Sequence, residues 1–415
     1  MGNNCADSVL IIGAGQAGIQ VADSLRAEGH TGPITVLNNE VHHPYQRPPL
    51  SKDYMGVDWP SEPLPLRGPG FLEAKGITML GAEATSVDTA ARTVHLADGT
   101  SIGYSQLVFA TGAANRQLPC PGADLAGVHA LRTLDDALGL QDALSTARKV
   151  VVIGAGFIGL EFAAGARTRG LDVTVLEFAQ RPMGRALSAM ASDWFAARHL
   201  ADGIDLRLNE GVTAIHDAGE GLSVESTAGR AYPADLVLYG VGVNPRTDLA
   251  EAAGLEVQNG IVVDAALQTA VSGVWAVGDC ASFQHAASGE RMRLESVQNA
   301  TDQGRHVART IMGANAAYSE TPWFWSTQGP IRLQIAGVSH PGDLPVMIGD
   351  PAAGKFSIAL LREGKLAAVE SVNSPADHIA ARKLIGLGLE LTAGDITTAG
   401  FTFKALAKEV LMVGS

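Results

Sequence analysis

Val9-Leu10-Ile11-Ile12-Gly13-Ala14-Gly15-Gln16-Ala17-Gly18 is the stretch that decides the fold. Four apolar residues predict a buried strand, and a Gly-x-Gly-x-x-Gly turn follows at once, ahead of a helix reaching about Glu28. In such a turn the first glycine makes the tight bend and the second lets the backbone approach a pyrophosphate. The third lets the helix pack against the strand, whose helix N-terminus then faces the phosphates. The same design recurs at Gly154-Ala155-Gly156-Phe157-Ile158-Gly159, directly after the apolar run 150–153. Each copy continues through a helix into a second strand, 34–37 and 173–176, and then an acidic residue. Two framed copies imply two dinucleotides held by one chain.

A chain of 415 residues is too long for one core, so two or three domains are expected. With 46% hydrophobic and 18% charged residues it has an ordinary globular composition. A formal net charge of −13 argues against nucleic acid as the main partner. Cys5, Cys120 and Cys280 are widely spaced, with no C-x-x-C and no metal-ligand spacing. Neither a disulfide framework nor a metal site is expected, and a reducing cytoplasm fits best. The uncharged N-terminal stretch is too short to span a membrane and coincides with the first glycine turn.

Two further strand–turn pairs stand out. One strand ends in Phe109-Ala110-Thr111-Gly112, another in Ala276-Val277-Gly278-Asp279. The second glycine-turn unit lies between them and so reads as inserted into the first. From about Gly329 the pattern changes to alternating runs such as Ile331-Arg332-Leu333-Gln334-Ile335, which predict antiparallel strands with one solvated face, followed by a helix over about 376–385. The expected fold class is therefore α/β: two Rossmann-like domains plus a C-terminal α+β domain. The expected boundaries are 1–115 with 246–325, 116–245, and 326–415.

A Rossmann second strand ends in an acid that grips the adenosine ribose. In the second unit that is Glu177, whose carboxylate accepts from a free 2′-hydroxyl and repels a 2′-phosphate, favouring NADH over NADPH. Arg181 and Arg185 lie close enough in sequence to reach a 2′-phosphate instead. In the first unit the acid arrives late, at Glu40, and Asn38 or Asn39 are alternatives. The segment Tyr45-Gln46-Arg47-Pro48-Pro49-Leu50-Ser51-Lys52 predicts a stiff loop entering a helix capped by Ser51. Arg47 there can neutralise a pyrophosphate, and Lys52 can stand near a flavin. Glu161 sits on the first turn of the second helix and can pair with Lys52. Asp279 can bind a ribityl hydroxyl or cap a helix.

Taken together, Tyr45 to Lys52, Ala110-Thr111-Gly112, Leu131-Arg132-Thr133, the second turn with Glu161, Gly240 to Pro245, Gly278-Asp279, Glu295 to Ala300 and Trp323 to Gln328 resemble the FAD-dependent ferredoxin reductases of bacterial oxygenase systems. The resemblance runs from about residue 8 to the C-terminus. It implies FAD in the first unit, near Gly13, Gly15, Gly18, Glu40, Arg47, Lys52, Thr111, Gly112, Arg132, Asp279, Val297 and Trp325. It implies NADH in the second, near Gly154, Gly156, Ile158, Gly159, Glu161, Glu177, Arg185 and Gly242. Lys52 and Glu161 become the candidate catalytic residues. The chain departs from the common pattern at Val297, where many members carry Trp, and at Thr327, where Asp is usual.

The implied activity is transfer of electrons from NADH through FAD, singly, to a 2Fe–2S ferredoxin that feeds a monooxygenase or a ring-hydroxylating dioxygenase. Arg305 and Arg309, and Lys404 and Lys408, each spaced i, i+4, are candidate docking cations for an acidic ferredoxin. A monomer or weak dimer is expected. Two rivals share the scaffold: a reductase for rubredoxin, monodehydroascorbate or oxygen, and a redox interaction module like apoptosis-inducing factor.

Overall fold

The computed structural model describes residues 7–56, 62–286 and 288–413. Cys5 lies outside them. The chain forms two compact units, one of residues 1–46, 63–114 and 243–320, the other of residues 47–62, 115–242 and 321–415.

The first unit is built on a parallel sheet in the order Val274–Ala276, Gln106–Phe109, Val9–Ile12, Ile34–Asn38, Ile77–Gly81. Val9, Leu10, Ile11, Leu107, Val108 and Phe109 are all buried, as strands covered on both faces require. From the central strand the chain moves outward to one side first and later to the other. The order therefore reverses between Val9–Ile12 and Gln106–Phe109, and ligands bind at the carboxyl ends of strands at such a switch point. Helix Gln16–Ala27 lies beside helix Val297–Ile311, and the contact is unusually close. A Cβ on Gly304 would lie 3.0 Å from Gln20 Cβ and 3.1 Å from the Ala17 carbonyl oxygen.

The second unit repeats the design. Its parallel sheet runs Asp205–Leu208, Asp172–Glu177, Lys149–Ile153, Leu236–Tyr239, Val128–His129, with the switch between Lys149–Ile153 and Leu236–Tyr239. The same unit holds an antiparallel sheet in the order Trp323–Gln328, Ile331–Gly337, Lys365–Val372, Lys355–Arg362, Leu344–Asp350. The expected α/β class, with two Rossmann-like folds and a C-terminal α+β domain, is what the chain adopts.

Three local expectations are corrected. The strands Lys355–Arg362 and Lys365–Val372 have no solvated face, because nearly every interior residue is buried. Helix Pro375–Ile385 packs on this sheet, while Trp194 of helix Ala189–Ala201 meets Phe356 edge-on at 5.0 Å between ring centroids. Ser51 caps no helix: Pro48–Ser51 and Asp53–Met55 are short 3₁₀ turns, and its hydroxyl points elsewhere. Asp279 does not open a helix either. Gly278–Cys280 is one 3₁₀ turn leading into strand Ala281–Gln284, and the helix that meets this turn is Val297–Ile311, whose Gln303 Oε1 accepts from the Gly278 N–H at 2.7 Å.

Candidate functional site

The two glycine turns have matching geometry. Gly13 and Gly154 have φ of +112° and +102°, which only glycine adopts without strain. A Cβ on Gly13 would sit 2.3 Å from the Ala110 carbonyl oxygen, and one on Gly154 would sit 2.5 Å from that of Gly240. Each turn is thus pressed against the end of the neighbouring strand. The third glycines are as tightly placed: a Cβ on Gly18 or Gly159 would lie 1.9 Å or 2.2 Å from the carbonyl oxygen of Gly13 or Gly154. The middle glycines differ. Nothing lies within 4 Å of a Cβ on Gly15, and only the Gly240 carbonyl oxygen, at 4.0 Å, meets one on Gly156. That open space, faced by the N-termini of Gln16–Ala27 and Phe157–Thr168, fits a pyrophosphate in each turn.

In the first unit a second helix end reinforces the first. Gln16 Nε2 donates to Thr301 Oγ1 at 3.0 Å while Gln20 packs on Gly304, so the two helices run in the same direction. Val297 is the first residue of the second helix, capped by Ser296, whose Oγ accepts from the Asn299 N–H at 3.0 Å. Sequence reasoning placed Val297 through the family pattern and missed this helix terminus. Ser296, followed by a polar–apolar run of helical period, was the available signal. Thr111 and Gly112 follow the strand beside the turn; Thr111 Oγ1 donates to the Arg246 carbonyl at 2.7 Å, and Gly112 has φ of +69° with open space before it. Asp279 is half-buried, and its carbonyl accepts from Arg293 Nη1 at 3.1 Å. Glu40 Oε2 accepts from the Tyr45 hydroxyl at 2.6 Å, which holds the carboxylate toward the Tyr45 loop.

In the second unit Glu177 ties the strand end to the turn. Its Oε2 accepts from the Ala155 N–H at 2.6 Å and its Oε1 from the Ala179 N–H at 2.8 Å. Further carboxylate lone pairs remain for a ribose hydroxyl. Arg181 is spent on its own loop, donating to the Leu187 and Gly184 carbonyls, whereas exposed Arg185 reaches over Gly242. A Cβ on Gly242 would lie 3.5 Å from Arg185 Nη2. Ile158 is the second residue of helix Phe157–Thr168, beside Gly159.

Lys52 and Glu161, 109 residues apart in sequence, are an ion pair: Lys52 Nζ lies 2.7 Å from Glu161 Oε2. The carboxylate side chain is 3% exposed and the ammonium side chain 17%. Glu161 also accepts from Ser51 Oγ at 2.5 Å and from Ser326 Oγ at 2.6 Å, so every neighbour donates to it. Buried charge is tolerated when satisfied in this way. Ser51 was read as a cap because a serine precedes a helix-like run. The carboxylate is the stronger partner, and Lys52, at φ −123° and ψ −91°, breaks the helix there.

Behind Ser326 a buried chain continues. Gln328 Nε2 donates to Ser326 Oγ at 3.2 Å, and Gln328 Oε1 lies 2.7 Å from His199 Nε2. Gln328 Oε1 can only accept, so His199 Nε2 carries the donated hydrogen, and burial holds the imidazole below its usual pKa. Neither Ser326 nor Gln328 carried a sequence-level role. Strand alternation puts Phe324, Ser326 and Gln328 on one face, with the Phe324 ring packed at a tilt against Phe157, centroids 4.5 Å apart, and puts Trp323 and Trp325 on the other. Arg47 Nη1 donates to the Arg132 carbonyl at 2.7 Å, bringing those two expected residues together. Burial raises the thiol pKa of both Cys120 and Cys280, the opposite of an activated thiolate. Among the described residues no cluster of His, Cys, Asp or Glu could hold a metal ion, and no helix is long and apolar enough to cross a membrane.

Residues 7–304 match the family described as pyridine nucleotide-disulphide oxidoreductase. The chain belongs to that family. Residues 323–407 match a second family, described as reductase C-terminal. The chain is 45% identical to rhodocoxin reductase of Rhodococcus erythropolis, over 96% of this chain and 93% of that protein. It is 36% identical to putidaredoxin reductase of Pseudomonas putida, over 92% of each. The solved ferredoxin reductase for the CYP199A2 system from Rhodopseudomonas palustris matches with a TM-score of 0.93 at 44% identity, covering 97% of this chain and all of that one. The reductase in a covalent putidaredoxin reductase–putidaredoxin complex matches at 0.92 and 34% identity, with 99% of each chain covered. This member of the family is thus an oxidoreductase, and its resemblance to ferredoxin reductases extends over nearly its whole length.

Proposed function

We propose that the chain is an NADH-dependent flavoprotein reductase that passes electrons, one at a time, to a 2Fe–2S ferredoxin serving a monooxygenase or a ring-hydroxylating dioxygenase. The observation that carries this reading is the pair of open glycine turns, each at the switch point of its own parallel sheet, in a chain without a C-x-x-C pair to relay electrons. When bound, a flavin accepts two electrons from a nicotinamide and releases them singly.

The chain's own residues bind, orient and hold charge. The Gly13-Ala14-Gly15 turn, with the helix ends at Gln16 and Val297, takes the FAD pyrophosphate, and Glu40, Thr111, Gly112 and Asp279 are its further ligands in that unit. The Gly154-Ala155-Gly156 turn takes the NADH pyrophosphate, with Glu177 on the ribose and Ile158, Gly159, Arg185 and Gly242 lining its path. Glu161 holds the Lys52 ammonium in place, supplying a positive group beside the redox chemistry. Arg47, Arg132 and Trp325 are assigned to the flavin on family resemblance. Residues 1–115 with 246–325 form the FAD domain, 116–245 the NAD domain and 326–415 the C-terminal domain. The protein works in the cytoplasm as a monomer or weak dimer.

Arg305 and Arg309 project from Val297–Ile311, exposed, and Lys404 and Lys408 are exposed on Phe403–Val413. Because the whole chain is acidic, a local cluster of cations must steer an acidic ferredoxin. Arg309→Glu should raise the KM for a two-iron ferredoxin severalfold while NADH-driven ferricyanide reduction stays unchanged. An equal fall in both activities would remove Arg309 from the docking surface, and no ferredoxin reduction by the unaltered protein would remove the ferredoxin acceptor itself.

A further inference from the structure

We propose that Phe178 is the platform on which the adenine ring of the second unit's dinucleotide stacks, an inference that rests on the NADH reading above. Phe178 is 81% exposed and is the only aromatic among the large exposed apolar side chains of the described residues. A single exposed apolar side chain is ordinary by itself, and what distinguishes this ring is that it directly follows the ribose-binding acid Glu177.

Its surroundings hold it still. The Glu177 carbonyl accepts from the Glu210 N–H at 2.8 Å, and the Ala179 carbonyl accepts from the Asn209 N–H at 3.0 Å. The Ala179 N–H is taken by the Glu177 carboxylate. Backbone on both sides of Phe178 is therefore pinned. The ring lies on the bare backbone of Gly211, where a Cβ would come 3.0 Å from Phe178 Cδ2 and 3.4 Å from Thr227 Cγ2. One side of the ring is backed and the remainder faces solvent.

The identity of the occupant follows from Glu177. Its Oε2 is clipped to the Ala155 N–H inside the glycine turn, so the acid is tied to the turn and the Phe178 ring is the side chain next to it in the chain. A ribose held by that acid carries its base on the carbon next to the 2′-hydroxyl. The base then falls within reach of the residue that follows the acid. A pre-positioned aromatic ring captures a base face at little ordering cost.

The test uses FAD-saturated protein and two half-ligands: ADP-ribose, which keeps the adenine, and reduced nicotinamide mononucleotide, which lacks it. Phe178→Ala should weaken ADP-ribose binding by calorimetry roughly tenfold, within the range of about 5- to 150-fold seen for base–aromatic stacking. Flavin reduction by the mononucleotide should be unchanged. Phe178→Tyr should retain wild-type affinity, and Gly211→Ala, which displaces the ring without removing it, should also weaken ADP-ribose. Unaltered ADP-ribose affinity in Phe178→Ala overturns the inference, as does an equal loss with the mononucleotide. A change confined to ferredoxin KM or to self-association would make the ring a protein contact and also overturn it. Failure of the unaltered protein to bind ADP-ribose would instead overturn the NADH reading beneath it.

Discussion

Replacing Glu161 with leucine isolates what the buried carboxylate does for the Lys52 loop. Its Oε2 accepts from Ser51 at 2.5 Å and from Lys52 at 2.7 Å, and leucine accepts from neither. Hydrogen bonds to charged groups contribute about 1.5–3 kcal/mol each, so the gross loss to the loop is about 3–6 kcal/mol. Part is recovered, because the Lys52 side chain is already 17% exposed and keeps the Pro48 carbonyl at 3.1 Å, so water takes over the ammonium. Arg169 Nε still donates to the Met55 carbonyl at 2.9 Å and Gln141 Nε2 to that of Tyr54 at 3.4 Å, so the loop stays docked. The net loss expected for local opening is about 2 kcal/mol, a roughly 30-fold faster exchange of the Leu50, Lys52 and Met55 amides in deuterium exchange. Amides of Lys149–Ile153 should exchange as before. Adding Lys52→Met to Glu161→Leu should change little further, since its partner is already gone. Less than a threefold change in the loop amides would refute the reasoning, because the three-donor carboxylate would then not anchor the loop.

Two other outcomes are expected. Glu177→Gln replaces one acceptor oxygen by a donor amide and removes the charge, so the kcat/KM ratio for NADH over NADPH should fall about tenfold; an unchanged ratio would take the ribose from Glu177. His378, buried with neither ring nitrogen hydrogen-bonded, has its pKa pushed down to about 4 by burial and then by Arg382 and Arg332. Between that value and the unfolded one of 6.5 the unfolded chain binds more protons, so the neutral ring's contribution is whole above about pH 6.5 and is lost as pH falls toward 4. At about pH 5 the loss is about 2 kcal/mol, and His378→Phe should flatten the fall in denaturation midpoint between neutral and acid pH. Equal acid sensitivity in both proteins would contradict it.

The glycine turns were legible in the sequence because their function is local: Gly13, Gly15 and Gly18 sit within six residues, Gly13 and Gly18 each where a Cβ would clash with backbone and Gly15 where it leaves the space before the turn open. Glu177 was legible for the same reason, one strand away. Lys52 and Glu161 were paired from opposite charge and helix position, not from spacing, because the contact is made only by tertiary folding across 109 residues. Ser326 and Gln328 stayed hidden because a polar residue in a strand reads as solvent-facing until the opposing surface is known; here that surface holds Glu161 and His199. Ser51 and Asp279 misled because both are good helix-capping types. In each case a 3₁₀ turn took the place of the helix, and for Ser51 a buried carboxylate offered the stronger bond.

Rapid mixing of the FAD-loaded protein with NADH in the absence of oxygen, followed by a second mix with a two-iron ferredoxin, tests the central claim most directly. The expected result is fast loss of the oxidised-flavin absorbance, then its fast return as the ferredoxin is reduced. Slow bleaching that ends in a persistent charge-transfer band, with no return on adding ferredoxin, would contradict the reductase reading and favour an interaction module.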